Sequence, residues 1–357
     1  MRDALENIKT YVREMRPYSL RFEPARIKLN QNENPWDMPI EIKRETFRRL
    51  RDRPWSRYPE FVPSSLIKRL AEFSGWTADG VLVGNGSNEL IQALLMVSVC
   101  EGKRVLISEP TFALYRQVAT LLGGEVVSVP LSRELIYDVD ALKAATESLK
   151  PDVTIICSPN NPTGCTIAEP DLVSLLGASS GLVAVDEAYF EFAGETAVSL
   201  LNQHDNLVVL RTFSKALAMA ALRVGYLLTT PALAREISKA LLPYHLNFFS
   251  QTAAEVAIEM YEAELKPLVT VILAERDRVC GELKRIPGLE PVSSRANFMV
   301  VRSAIQPRRI FEELLKRGIL IRDVTGYPML QDYFRIGVGT PEENNLLLKL
   351  LREIFAA

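Results

Sequence analysis

A chain of 357 residues with 48% hydrophobic and 24% charged residues is long enough for two packed units and rich enough in apolar side chains for a sizeable core. A formal net charge of −2 excludes the basic field that grips nucleic acid, and the longest apolar run, Leu90 to Cys100, is interrupted by Gln92 and Ser98, too short to cross a bilayer. Four cysteines without CxxC spacing (Cys100, Cys157, Cys165, Cys280) and two histidines (His204, His245) exclude a disulfide scaffold and argue against a multi-histidine metal site, so no metal is expected.

From Met1 to Met15 charged and apolar residues alternate with no hydrophobic signal core, so export is not indicated and a cytoplasmic location is expected. Between Val81 and Leu228 short apolar runs alternate with amphipathic stretches. Residues 81–84, 104–108, 125–129, 153–158, 182–186, 207–212 and 224–229 read as strands, most of them too hydrophobic to be half exposed. Plausible helices lie between them, such as Asn88 to Val99 and Phe112 to Leu122, the latter stopped by Gly123–Gly124. This alternation predicts a mostly parallel, doubly wound α/β sheet. Phe248 to Leu283 carries apolar residues at near-helical spacing, divided or bent at Pro267. Residues 297–302, 318–323 and 333–339 then read as strands, with helices near 308–317 and 342–355, which predicts a smaller α/β unit.

Four stretches carry chemistry together. Ser158-Pro159-Asn160-Asn161-Pro162-Thr163-Gly164, Asp186-Glu187-Ala188-Tyr189 and Arg211-Thr212-Phe213-Ser214-Lys215 each begin at the C-terminal end of a predicted parallel strand, where open α/β sheets bind ligands; Arg223 follows eight positions beyond Lys215. Taken singly, each has a bland reading. A lone lysine is a surface charge, an aspartate after a strand is a turn former, and the NNPTG run is turn chemistry.

Jointly they match one cofactor, pyridoxal phosphate. A confined lysine beside Arg223 can lose its proton near neutral pH and attack a carbonyl. Asp186 can keep a pyridine nitrogen protonated, and Asn161 and Tyr189 can hydrogen-bond the ring oxygen. Thr212, Ser214 and Arg223 can hold a phosphate. Upstream, Gly84-Asn85-Gly86-Ser87-Asn88-Glu89-Leu90 places a glycine-rich turn before a helix, whose exposed N–H groups and positive dipole end can cradle the same phosphate. Phe112 can stack on the ring face.

These motifs resemble the fold-type I pyridoxal-phosphate aminotransferases. More narrowly, residues 16–18, 28–35, 56–60, 212–226, 246–254, 296–302, 318–323 and 334–340 resemble the histidinol-phosphate aminotransferase family, in order and spacing, along nearly the whole chain. The resemblance implies an N-terminal segment (1–45) contributing to the small domain and active site, a large cofactor-binding domain (46–245) and a small C-terminal domain (246–357). It implies that Lys215 holds the cofactor covalently and shuttles the proton, with Asp186 on the pyridine nitrogen and Tyr189 and Asn161 on the ring oxygen. Tyr58 would reach the phosphate from the neighbouring subunit of a homodimer. Arg335, Arg322, Tyr18 and Asn32 would form the substrate end. The implied reaction moves the amino group between L-histidinol phosphate and 2-oxoglutarate, giving imidazole-acetol phosphate and L-glutamate in histidine biosynthesis. An aromatic or broad-specificity aminotransferase, a threonine-phosphate decarboxylase and a non-enzymatic regulator share the scaffold as alternatives. Two positions depart from the family pattern: Phe112 stands where many relatives have tyrosine, and His245 where asparagine is frequent.

Overall fold

In the computed structural model, which describes residues 4–17 and 23–356, successive residues of the central strands point alternately into two separate cores. Val183 and Val185 enter one core while Ala184 between them enters the other; Leu207 and Val209 alternate with Val208 and Leu210 in the same way. A strand's side chains alternate faces, so such runs need helices on both sides of the sheet.

The first strand, β1 (Ile27–Lys28), lies outside this sheet. Seven strands build it: β2 (Val81–Gly84), β3 (Arg104–Glu109), β4 (Glu125–Pro130), β5 (Val153–Cys157), β6 (Leu182–Asp186), β7 (Leu207–Thr212) and β8 (Gly225–Leu228). Their order is β2-β8-β7-β6-β5-β3-β4, with β8 antiparallel to both neighbours and the remaining pairings parallel. The reversal of β8 brings its first residue to the edge where β5, β6 and β7 end, so Arg223, just ahead of it, reaches the residues that follow those strands.

The smaller unit is an antiparallel sheet of β9 (Leu289–Pro291), β10 (Phe298–Ser303), β12 (Arg322–Asp323) and β13 (Tyr333–Gly337), in the order β12-β13-β10-β9. Val279, Leu283, Ile310, Leu314, Leu347 and Leu351 from three helices cover it. Helix Phe248–Glu259 buries Ala253, Ala254, Val256 and Ala257 in a core of the large sheet, a core that Ala296, Phe298 and Val338 also join. Pro267 sits in the first turn of helix Lys266–Leu283, where its missing N–H costs nothing, after the short π-helical turn Tyr261–Leu265.

The N-terminal segment crosses between the two units. β1 pairs in parallel with β11 (Ile319–Leu320), and the Leu29 carbonyl accepts from the Gly337 N–H at 2.8 Å. Helix Ile40–Leu50 then packs against helix Phe248–Glu259 of the large unit. Residues 30–34 bridge the gap over the ends of β5, β6 and β7.

Candidate active site

A cavity of about 430 Å³ opens between the sheet edge, the smaller unit and residues 30–33. Of the residues singled out in the sequence, Asn32, Ser87, Asn88, Phe112, Asn161, Asp186, Tyr189, Thr212, Ser214, Lys215, Arg223, Arg322 and Arg335 line it. Tyr18 lies outside the described residues. Tyr58 does not line the cavity of its own chain: it is 80% exposed and stacks on Tyr244 with ring centroids 4.5 Å apart.

One end is built for an anion. Helix Ser87–Ser98 starts at Gly86, which has no side chain to cap it, so the N–H groups of Ser87 and Asn88 and the positive end of the dipole are left for a ligand. Gly86 has φ +81°, and a Cβ there would come within 2.4 Å of Arg223 Nη2. A Cβ on Gly225 would come within 2.3 Å of the Ser87 nitrogen, so only glycine lets β8 and the helix start approach. Arg223 Nη1 donates to Ser214 Oγ (3.1 Å), and Thr212 Oγ1 lies 3.0 Å from the same hydroxyl.

Asp186 forms the buried floor, 3% exposed at the end of β6. Its Oδ2 accepts from the Tyr115 hydroxyl at 2.6 Å and its Oδ1 from the Ala188 N–H at 3.1 Å. Burial pushes its carboxyl up to about 6 even though both donors pull the other way. Cys157, its register partner on β5, is a buried neutral thiol, pushed up by burial.

Lys215 follows β7, and its Nζ donates to the Gln31 carbonyl at 2.8 Å. Burial, then the charges of Arg335 and Arg223, bring its ammonium down to about 8, against opposing pulls from Glu33 and Asp186. Such a lysine has a usable neutral fraction at physiological pH. Tyr189 accepts from Asn32 Nδ2 at 3.0 Å and packs edge-on against Phe298. Asn32 itself is buried with φ +56°, a conformation that asparagine tolerates better than most residues.

The far end belongs to the smaller unit. Arg335 is buried in β13, donates to Asn161 Oδ1 and to the Asn30 carbonyl (2.7 Å), and rests on the Phe298 ring. Arg322 is its register partner on β12. No carboxylate among the described residues pairs with Arg322.

Tyr115, Gln31, Asn30, Glu33 and Tyr327 line or contact the site without having been singled out in the sequence. Tyr115 could have been found, since it stands one helical turn after Phe112; a backbone carbonyl such as that of Gln31 leaves no mark on residue type. His245 has no part in the cavity: its ring nitrogens lie 2.8 and 2.9 Å from the carbonyls of Leu242 and Val83, tying that loop to β2.

The residues fit pyridoxal phosphate at each end: a phosphate cradle closed by two obligatory glycines, a buried carboxylate for the ring nitrogen, an amine of lowered basicity, and the Phe112 ring. Among the described residues no group of histidine, cysteine and acidic side chains could hold a metal, and no helix is long and apolar enough to cross a membrane.

The family described as aminotransferase class I and II matches residues 24–351 of the chain. A histidinol-phosphate aminotransferase from Chlorobaculum parvum is 39% identical over 350 residues, 98% of this chain and 96% of that protein. One from Chlorobaculum tepidum is 38% identical over 352 residues, 98% and 99% of the two chains. Among solved structures, histidinol-phosphate aminotransferase from Sinorhizobium meliloti, in complex with pyridoxal-5'-phosphate, shares the fold with a TM-score of 0.88 at 24% identity, covering 99% of this chain and 98% of that one.

Proposed function

Because the chain belongs to the aminotransferase class I and II family, we propose that it is a histidinol-phosphate aminotransferase, exchanging an amino group between L-histidinol phosphate and 2-oxoglutarate in histidine biosynthesis. Its cofactor is pyridoxal 5'-phosphate. The observation that carries the substrate reading is the arginine pair Arg322 and Arg335, set side by side on β12 and β13 across one cavity from Lys215 and Asp186. Guanidinium forks suit a phosphate in one substrate and a carboxylate in the other.

When bound, the cofactor supplies a ring that accepts the electron pair released at the substrate's amine-bearing carbon. The protein's share is positional and electrostatic. The helix start at Ser87 and Asn88, with Thr212, Ser214 and Arg223, binds the cofactor phosphate. Asp186 holds a proton at the ring nitrogen, and Tyr189 and Asn161 orient the ring oxygen. Lys215 Nζ, free once the substrate amine has taken its place, would accept the proton from the substrate's amine-bearing carbon and deliver it to the carbon that keeps the amino group, a role that its lowered basicity serves. Arg322 and Arg335 hold the anionic end, and residues 30–33 cover the site from water.

The protein acts as a homodimer in the cytoplasm on this reading. Tyr58 and Phe61, 80% and 62% accessible, both pack on Tyr244 and form an exposed aromatic patch of the kind that a second subunit covers. Tyr58 would then reach the partner's phosphate cradle.

A half-reaction screen tests the substrate. Cofactor-loaded protein is mixed with single amines while the visible band of the cofactor is followed. Histidinol phosphate should discharge that band with an efficiency orders of magnitude above phenylalanine or tyrosine. Equal responses would make the enzyme an aromatic aminotransferase, and carbon dioxide release from threonine phosphate without glutamate formation would make it a decarboxylase.

A further inference from the structure

Two buried tyrosines flank Cys157, and they spend their hydroxyls differently. Tyr137 donates to the backbone carbonyl of Cys157 at 2.6 Å, which is how a core tyrosine is ordinarily satisfied. Tyr115, fully buried on helix Leu114–Leu122, donates instead to Asp186 Oδ2, also at 2.6 Å. Its ring meets Phe112, two residues ahead of the helix, edge-on at 5.6 Å, so one short stretch of chain supplies both the aromatic wall of the cavity and a donor to its floor.

We propose that Tyr115 is a positioning residue for the transamination, its hydroxyl fixing the Asp186 carboxylate in the orientation from which it serves the cofactor's ring nitrogen. The inference rests on the aminotransferase reading above. A carboxylate at the end of a strand has a free χ2, and the Ala188 N–H alone reaches only Oδ1. The second donor, on the other oxygen, removes that freedom. It also favours the ionised acid, since a hydrogen bond from a neutral donor stabilises the charged form.

The ionisable groups around Asp186 are Tyr115 from the helix, Cys157 from β5, Glu187 and Tyr189 after β6, Lys215 after β7, and Tyr137. Burial and the neighbouring carboxylate hold the Tyr115 proton in place, so this group stays a donor throughout the working range.

The test is a double-mutant cycle on cofactor affinity, measured by titrating apo-protein with pyridoxal phosphate across pH, with steady-state kinetics alongside. Tyr115→Phe keeps the ring and removes the donor. It should weaken cofactor binding about tenfold, shift the acidic limb of binding to higher pH, and lower kcat with little change in KM. In an Asp186→Asn background the same change should cost no more than about twofold, because the group it acts through is gone. Parental affinity and pH profile in Tyr115→Phe, or an equal loss in both backgrounds, would overturn the proposal. Placing 3-fluorotyrosine at position 115, a stronger donor of nearly the same shape, should move the acidic limb to lower pH. An unmoved limb in that protein would overturn the proposal even if Tyr115→Phe failed to fold. A parent that took up no cofactor would sink the functional reading itself and this inference with it.

Discussion

Arg322 and Arg335 stand directly opposite each other across the antiparallel pair of β12 and β13. Like charges at opposed strand positions repel, and an anion bound between them would offset that repulsion.

Replacing Arg335 by alanine should lower kcat/KM for both histidinol phosphate and 2-oxoglutarate by roughly a hundredfold, the scale of a lost charge-assisted pair of hydrogen bonds. Arg322→Ala should do less, because Arg335 also anchors Asn161 and the Asn30 carbonyl. Steady-state kinetics with each substrate varied in turn measures both effects, and an unchanged response to both substrates counts against the anion role.

Lys215 makes the cofactor-free protein less stable than it could be. Its ammonium titrates near 8 in the folded chain against 10.5 unfolded, so between those values the unfolded state holds the extra proton and stability rises with pH. Below about pH 8 the full cost is present. Lys215→Met should therefore raise the apo-protein's unfolding free energy by about 1–2 kcal/mol at pH 7, allowing for partial solvent screening, and the gain should vanish above pH 10.5. Urea denaturation at a series of pH values reads this directly.

Asp186 behaves with the opposite sign. The folded carboxyl keeps its proton up to about pH 6 while the unfolded one releases it near 3.8, so the native state holds the extra proton and apo stability falls as pH rises through that window. Asp186→Asn should stabilise the apo-protein at pH 7 by roughly 1–3 kcal/mol and should be neutral at pH 3.5, while cofactor binding weakens by about a hundredfold yet stays measurable. A variant both less stable and still tightly loaded would contradict the assigned role.

Gly86→Ala places a methyl on the Arg223 guanidinium in a backbone region that L-residues avoid. Cofactor affinity should fall at least about tenfold with a stability loss on the order of 1 kcal/mol, because the phosphate cradle must open to admit the side chain. Equilibrium dialysis against pyridoxal phosphate checks it.

The large sheet was legible in the sequence because each of its strands is an apolar run closed by a turn, and the chemistry sits at those closures. Gly123, in a left-handed conformation, ends its helix where expected. Helix Ile40–Leu50 gave no comparable signal: its buried face is only Ile42, Thr46 and Leu50, spaced by four among charged residues. The apolar face of helix Phe248–Glu259 likewise does not say which sheet it will meet, and in the structure it packs into a core of the large sheet. At the site, side chains carrying charge or phosphate chemistry could be read from type and spacing. The contacts made by backbone atoms, such as Gln31 on Lys215, and by the buried Tyr115 hydroxyl depend on tertiary placement and could not. The reversed direction of β8, which delivers Arg223, is likewise a matter of pairing rather than pattern.

The most direct test of the whole account is single-turnover kinetics of Lys215→Ala with histidinol phosphate, followed by absorbance of the cofactor. The long-wavelength band of the loaded protein should be lost and the transfer rate should fall roughly a thousandfold or more. Transfer at close to the parental rate would contradict it.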